Sequence, residues 1–214
     1  MNIMKKNIKL VIFDWSGVIS DDRKVVYEAD MLVLRDFKKG ELSFEEWSDN
    51  LALNGQEFLA SQGLEENLDE LTNLYEKKLN KVIKSGLIPR VYPDAQDVLR
   101  YLKEKSLKIA VLSCHPSDNL KREANRYNLE SFLDSVCAGS KNKTRDLQNI
   151  CREFGVKPEQ SLFIGDMVKD IRIAKESGVN SAGICHGYHK KGRLINEKPD
   201  LLLERLSDLK NFIF

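Results

Sequence analysis

The sequence predicts an α/β fold: a doubly wound parallel sheet that carries a small α-helical domain inserted after its first strand. Two observations lead there. Compact β-branched and aromatic runs recur at Ile8 to Phe13, Lys108 to Leu112 and Ser161 to Ile164, and each ends on a polar residue. Helix-period segments separate the later runs, so the chain alternates in the manner of βαβ units, which place helices on both faces of a parallel sheet.

Taken in order, the run Ile8 to Phe13 reads as a buried strand, because Asp14-Trp15-Ser16-Gly17 follows it at once and turns the chain. Residues 23–88 then break the alternation, with helical patterns and no convincing strand. Ser43-Phe44-Glu45-Glu46 has the spacing of a capping box, from which a helix is expected to run through Trp47 and Leu51 to Phe58. Leu64, Leu68, Leu71, Tyr75, Leu79 and Val82 recur at three and four residues, a long amphipathic helix closed by Gly86 and Pro89. These helices form a separate domain expected to sit over the strand ends, with 1–22 and 89–214 as the α/β core and 23–88 as the helical insertion. Asp94 to Lys105 turns Val98, Leu99 and Leu102 to one side, and Thr144 to Phe154 does the same with Leu147, Ile150, Cys151 and Phe154.

Composition narrows the function classes. Lys+Arg is 34 against 33 Asp+Glu, a net charge of +1, too weak a field to recruit nucleic acid by electrostatics. With 42% hydrophobic and 31% charged residues the chain is globular, and its 214 residues amount to one full domain plus an appendage, or one large domain, at roughly 150 per domain. The four cysteines, Cys114, Cys137, Cys151 and Cys185, lack CxxC spacing and read as free thiols of a reducing compartment. The apolar run Leu10 to Phe13 is too brief for a signal peptide, and no stretch approaches the ~18 residues of a membrane span. A cytoplasmic protein without membrane or nucleic-acid partners is expected.

The polar residues ending the strands are the candidate chemistry, since ligands of such sheets bind at the carboxyl ends of the strands. Asp14 can attack an electrophile or bind a hard cation. Asp166 and Asp170, one helical turn apart after the third run, offer two oxygen donors of the kind Mg²⁺ takes. Ser113, with the amides of Cys114 and His115, would cradle an anionic oxygen, and Lys143, or Lys141 two residues earlier, would screen a phosphate from Asp14. His186 and His189 have no third ligand nearby and are not read as a zinc site.

These elements in this order resemble the haloacid dehalogenase-like (HAD) hydrolase superfamily. The correspondence is a strand followed by Asp14-x-Ser16-Gly17-Val18, a strand ending on Ser113, a lysine before a helix, and Gly165-Asp166-x-x-x-Asp170 with the segment to Val179. Gly183 to Tyr188 looks like the family's next strand and glycine turn, and the insertion is similar to the helical cap of phosphoglycolate phosphatase-like members. The resemblance implies a Rossmann-like core, a cap that closes to exclude water and choose the substrate, and a Mg²⁺-dependent phosphatase of a small phosphorylated metabolite. It implies that Asp14 is the nucleophile of an aspartyl-phosphate, and that Asp14, the Ser16 carbonyl and Asp166 ligate Mg²⁺. Asp170 would orient the metal shell or the lysine, Ser113 and Lys143 or Lys141 would hold phosphoryl oxygens, and Cys114 and His115 would face substrate. Trp15 is expected to pack under the cap.

One departure matters. The family's phosphatases carry a second aspartate two residues beyond the nucleophile, a general acid and base, where this chain has Ser16. A serine hydroxyl cannot fill that role near neutral pH unaided. This leaves two rival readings, a phosphonatase-like or dehalogenase-like hydrolase and a slow or non-catalytic member. An imine-forming lysine early in the cap would have to be Lys24, Lys38 or Lys39, and Asp21 or Asp22 at the hinge is the other source of a proton.

Overall fold

The computed structural model describes residues 7–51, 55–64 and 67–212. The chain divides into two compact units, one formed by the chain up to Asp21 and from Val91 onward, the other by Asp22–Arg90.

In the first unit β1 (Leu10–Phe13) leads into a tight turn and β2 (Ser20–Asp21). The second unit contains α1 (Arg23–Asp36), α2 (Phe44–Asn50), α3 (Gly55–Ser61) and α4 (Leu68–Lys84). After β3 (Arg90–Val91) the first unit continues through α5 (Ala95–Glu104), β4 (Lys108–Leu112), α6 (Ser117–Arg126), β5 (Ser135–Cys137), α7 (Lys143–Glu153), β6 (Ser161–Gly165), α8 (Val168–Glu176), β7 (Asn180–Ile184), α9 (Lys191–Asn196) and β8 (Leu201–Leu203). Six strands make one parallel sheet in the order β5-β4-β1-β6-β7-β8, with β2 and β3 paired separately. The sequence order reverses on either side of β1, and that reversal opens the crevice at the strand ends where ligands of such sheets bind.

The continuous apolar runs are explained by burial on both faces. Val11, Phe13, Ile109, Val111, Leu162 and Ile164 face one core shared with Val98, Leu99 and Leu102 of α5 and Leu120 of α6. The alternate residues Leu10, Ile12, Ala110, Leu112 and Phe163 face the other, against Leu147, Ile150 and Cys151 of α7 and Ile173 and Ala174 of α8. Each such side chain taken from water contributes roughly 1.5–3 kcal/mol, so the strand ends rest on a stiff platform.

The helical unit is built on a seam between α1 and α4, where Val25, Ala29, Leu79 and Val82 meet. The capping box forms, with the Glu46 amide donating to Ser43 Oγ (3.2 Å) and the Ser43 amide to Glu46 Oε2 (2.8 Å). The helix it starts is shorter than expected: Leu51 turns extended (φ −61°, ψ 101°), and Phe58 belongs to α3. Residues 52–54, through which the longer helix was expected to run, lie outside the described residues. The long amphipathic helix begins at Leu68 rather than Leu64, because Asn67 takes the N-cap and accepts the Asp69 amide (2.9 Å). Among the described residues no helix is long and apolar enough to cross a membrane.

Candidate active site

Asp14 follows the last residue of β1, its backbone still tied to the sheet by a hydrogen bond from its amide to the Ile164 carbonyl (2.9 Å). The chain then turns back on itself, the amides of Ile19 and Ser20 both reaching the Trp15 carbonyl (2.9 Å each). Asp14 is buried, and the Trp15 amide donates to its Oδ1 (2.7 Å). Asp166 follows β6, the strand beside β1, and Asp170 lies in the first turn of α8. Ligand atoms of the three carboxylates lie within 4.8 Å of one another, all buried.

Lys143 is the cation inside this cluster. Asn142 caps α7 by accepting the Arg145 amide (3.0 Å), which makes Lys143 the first helical residue. Its ammonium donates to Asp14 Oδ2 (2.5 Å) and Asp170 Oδ1 (2.9 Å). Lys141, the alternative two residues earlier, is exposed. Asp170 also accepts the Met167 amide on Oδ2 (3.2 Å), so one carboxylate ties the lysine to the start of α8. His189 completes that start, its Nδ1 accepting the Val168 amide (3.0 Å).

Three carboxylates against one ammonium leave the cluster short of positive charge. Burial pushes the Asp14 carboxyl up, and Asp170 adds to this while Lys143 opposes it. Asp166 is driven well above the usual carboxylate range by burial and then by the charges of Asp170 and Asp14. Burial works against the charge of Lys143, but Asp14 and Asp170 overcome it and hold the ammonium protonated well above its ordinary value. A hard divalent cation is what such an oxygen-donor set lacks, and these residues fit one.

Two glycines shape the seat of Asp166. At Gly17, where φ is +72°, an added Cβ would lie 2.1 Å from Asp166 Oδ2, and at Gly187 a Cβ would lie 2.2 Å from the same oxygen. No larger residue fits against the carboxylate from either side. The Tyr188 amide donates to that Oδ2 (2.6 Å).

Ser113 is buried at the end of β4, beside β1. The His115 amide donates to Ser113 Oγ (3.2 Å), so it orients the hydroxyl instead of standing ready as a second donor to an anion. Cys114 is exposed. Desolvation on its protein side, with Asp14 and Asp170 against Lys143, pushes the thiol up. Ser16 is half-buried in the turn after Asp14 and bridges Ser20.

Trp15 is fully buried within the α/β unit, and its indole Nε1 donates to Glu123 Oε2 (2.8 Å) on α6. Ser20 Oγ donates to the same oxygen (2.8 Å), and Glu123 Oε1 faces His115 Nε2 at 3.4 Å. Glu123 had no signal in the sequence, because 108 residues separate it from Trp15 and α6 carries few apolar residues to mark its face.

A family model described as haloacid dehalogenase-like hydrolase matches residues 11–184. A phosphoglycolate phosphatase of Aliivibrio fischeri is 24% identical over 220 residues, covering 96% of each chain. Another from Mannheimia succiniciproducens is 26% identical over 131 residues, where the match spans 59% of this chain and 58% of that protein. A haloacid dehalogenase-like family hydrolase from Streptococcus pneumoniae superposes with a TM-score of 0.85 at 18% identity, covering 96% of this chain and 98% of that one, a likeness of fold.

Proposed function

This chain belongs to the haloacid dehalogenase-like hydrolases, and on that premise we propose that it is a Mg²⁺-dependent phosphatase of a small phosphorylated metabolite. The observation that carries the reading is the buried trio of Asp14, Asp166 and Asp170 with Lys143 bridging two of them. Relatives named phosphoglycolate phosphatase support phosphate esters as the substrate class.

In this mechanism an oxygen of the Asp14 carboxylate attacks phosphorus in line. The bond to the leaving oxygen breaks with its electron pair, and a phosphoryl group is left on Asp14. Asp14, Asp166, Asp170 and the Ser16 carbonyl are the groups that would hold Mg²⁺, which when bound neutralises charge on the phosphoryl oxygens and on the carboxylates. Lys143 supplies the fixed positive charge, and Asp170 holds it in place. Ser113 Oγ, aimed by the His115 amide, donates to a phosphoryl oxygen. The trigger for each step is positioning and charge, which is most of what phosphoryl transfer asks of a protein.

A panel of small phosphomonoesters assayed for phosphate release with Mg²⁺ and with excess EDTA tests the reading. Release that needs Mg²⁺ is expected. Release undiminished by EDTA, or none from any ester, would contradict it.

A further inference from the structure

Transfer of a phosphoryl group from an alkyl ester ejects an alkoxide, a leaving group that needs a proton as it departs. Ser16 cannot give one near neutral pH. Lys143 is engaged by the Asp14 and Asp170 carboxylates at 2.5 and 2.9 Å, and Cys114 is exposed. Three histidines remain in the chain. His189 spends Nδ1 on the Val168 amide, and His186 stacks on Tyr92 (3.7 Å between centroids) with Nε2 3.3 Å from the Val18 carbonyl. Both are built into the backbone that frames Asp166.

His115 is placed differently. It lies two residues after Ser113 on the loop that ends β4, the strand next to β1. Its imidazole is mostly buried, with Nε2 facing Glu123 Oε1 at 3.4 Å, and Glu123 is itself buried. Two further donors, Trp15 Nε1 and Ser20 Oγ, converge on the other oxygen of Glu123 at 2.8 Å. The carboxylate is therefore fixed by the same residue whose amide holds the nucleophile, since Trp15 N–H donates to Asp14. Burial alone would push Glu123 up, but His115, Trp15 and Ser20 outweigh it and keep the carboxyl below its ordinary value, so the histidine faces an ionised partner. A carboxylate against one imidazole nitrogen fixes the ring and favours its charged form. Among the described residues, Tyr127, which contacts Ser20 at 3.0 Å and Arg126 at 3.2 Å, lies on the same network, and Cys114 is the neighbouring residue in the chain.

We infer that His115, positioned by Glu123, is the general acid and base of this enzyme, taking the part that Ser16 leaves vacant. The inference rests on the phosphatase reading above and deepens it. As Asp14 attacks and the ester P–O bond breaks, the leaving oxygen takes its electron pair and a proton from the His115 imidazolium. The neutral imidazole then takes a proton from the water that attacks the phosphoryl group on Asp14. That P–O bond breaks, its electrons return to the Asp14 carboxylate, and the imidazolium is restored.

The test compares kcat/KM for p-nitrophenyl phosphate, whose leaving group departs without a proton, with that for an alkyl phosphate, in the wild type, His115→Asn, Asp21→Asn and the double variant Ser16→Asp/His115→Asn. This parameter reports formation of the phosphoryl-enzyme and not its hydrolysis. His115→Asn is expected to lose ~10²-fold on the alkyl ester and less than about tenfold on the nitrophenyl ester, with the double variant recovering the alkyl activity. Glu123→Gln should show the same leaving-group bias to a smaller extent, with its unfolding midpoint measured alongside. Equal losses on both esters, no loss, or a biased loss in Asp21→Asn instead would overturn the role of His115 while leaving the phosphatase reading intact. A wild type that releases phosphate from no ester of the panel would overturn both.

Discussion

Asp14, the proposed nucleophile, is held by three contacts: the Trp15 amide, the Lys143 ammonium and the sheet hydrogen bond from its own amide to Ile164. Asp14→Asn keeps the shape and removes the proposed nucleophile. Hydrolysis should fall at least ~10³-fold with the circular dichroism spectrum unchanged, and a purified variant that keeps most of its activity would remove Asp14 from the mechanism. Gly187→Ala acts on the same site by direct contact with Asp166. Its methyl would sit within 2.2 Å of the Asp166 carboxylate and must displace it. Mg²⁺ affinity, read as the concentration giving half-maximal activity, should weaken by ~10–100-fold, the usual effect of disturbing a group that orients a ligand. An unchanged Mg²⁺ titration would mean that Asp166 is not where the cation binds.

At the scale of elements, the helical unit carries a buried charge of its own. Asp30 is wholly buried on α1, accepts Trp47 Nε1 (2.8 Å) from α2, and has its carboxyl raised to about 7 by burial, against the Trp47 hydrogen bond. A folded-state value above the unfolded one means that stability is full below the ordinary carboxylate range and declines as pH rises toward about 7. The expected decline is about 4 kcal/mol, and Asp30→Asn should flatten it. Urea unfolding at several pH values reads this directly, and equal slopes in wild type and variant would contradict it. Nothing in the sequence distinguishes Asp30 from Glu28 and Asp36, exposed acids of the same helix. The elements that were legible are those buried on both faces or bounded by capping chemistry: β1, β4, β6, α5, α7 and the box at Ser43. β5 and β8 were missed because three residues carry no period, and Val136 in β5 points to solvent. The trio of acids and the lysine were legible because each follows a strand end or opens a helix. The Trp15, Glu123 and His115 network was not, since it joins distant segments through side chains alone.

For the whole molecule, the near-neutral net charge of +1 hides a concentration of negative charge at one place, the cluster of Asp14, Asp166 and Asp170. Burial and mutual repulsion raise Asp14 and Asp166, so without metal the folded protein loses stability as pH rises above the carboxylate range, and a bound cation reverses that loss. At ~100 times its dissociation constant Mg²⁺ should stabilise the fold by about 2.7 kcal/mol. Asp166→Asn should abolish this shift in thermal unfolding and raise the midpoint of the metal-free protein. A full Mg²⁺ shift in that variant would place the metal elsewhere. The central claim, that phosphoryl groups pass through Asp14, is tested most directly by acid-quenching the enzyme during turnover of a labelled phosphomonoester with Mg²⁺ and mapping the labelled peptide. The account predicts an acid-stable, base-labile phosphoryl group on Asp14, lost in Asp14→Asn. Label on another residue, or turnover with no labelled protein at the earliest quench times, would contradict it.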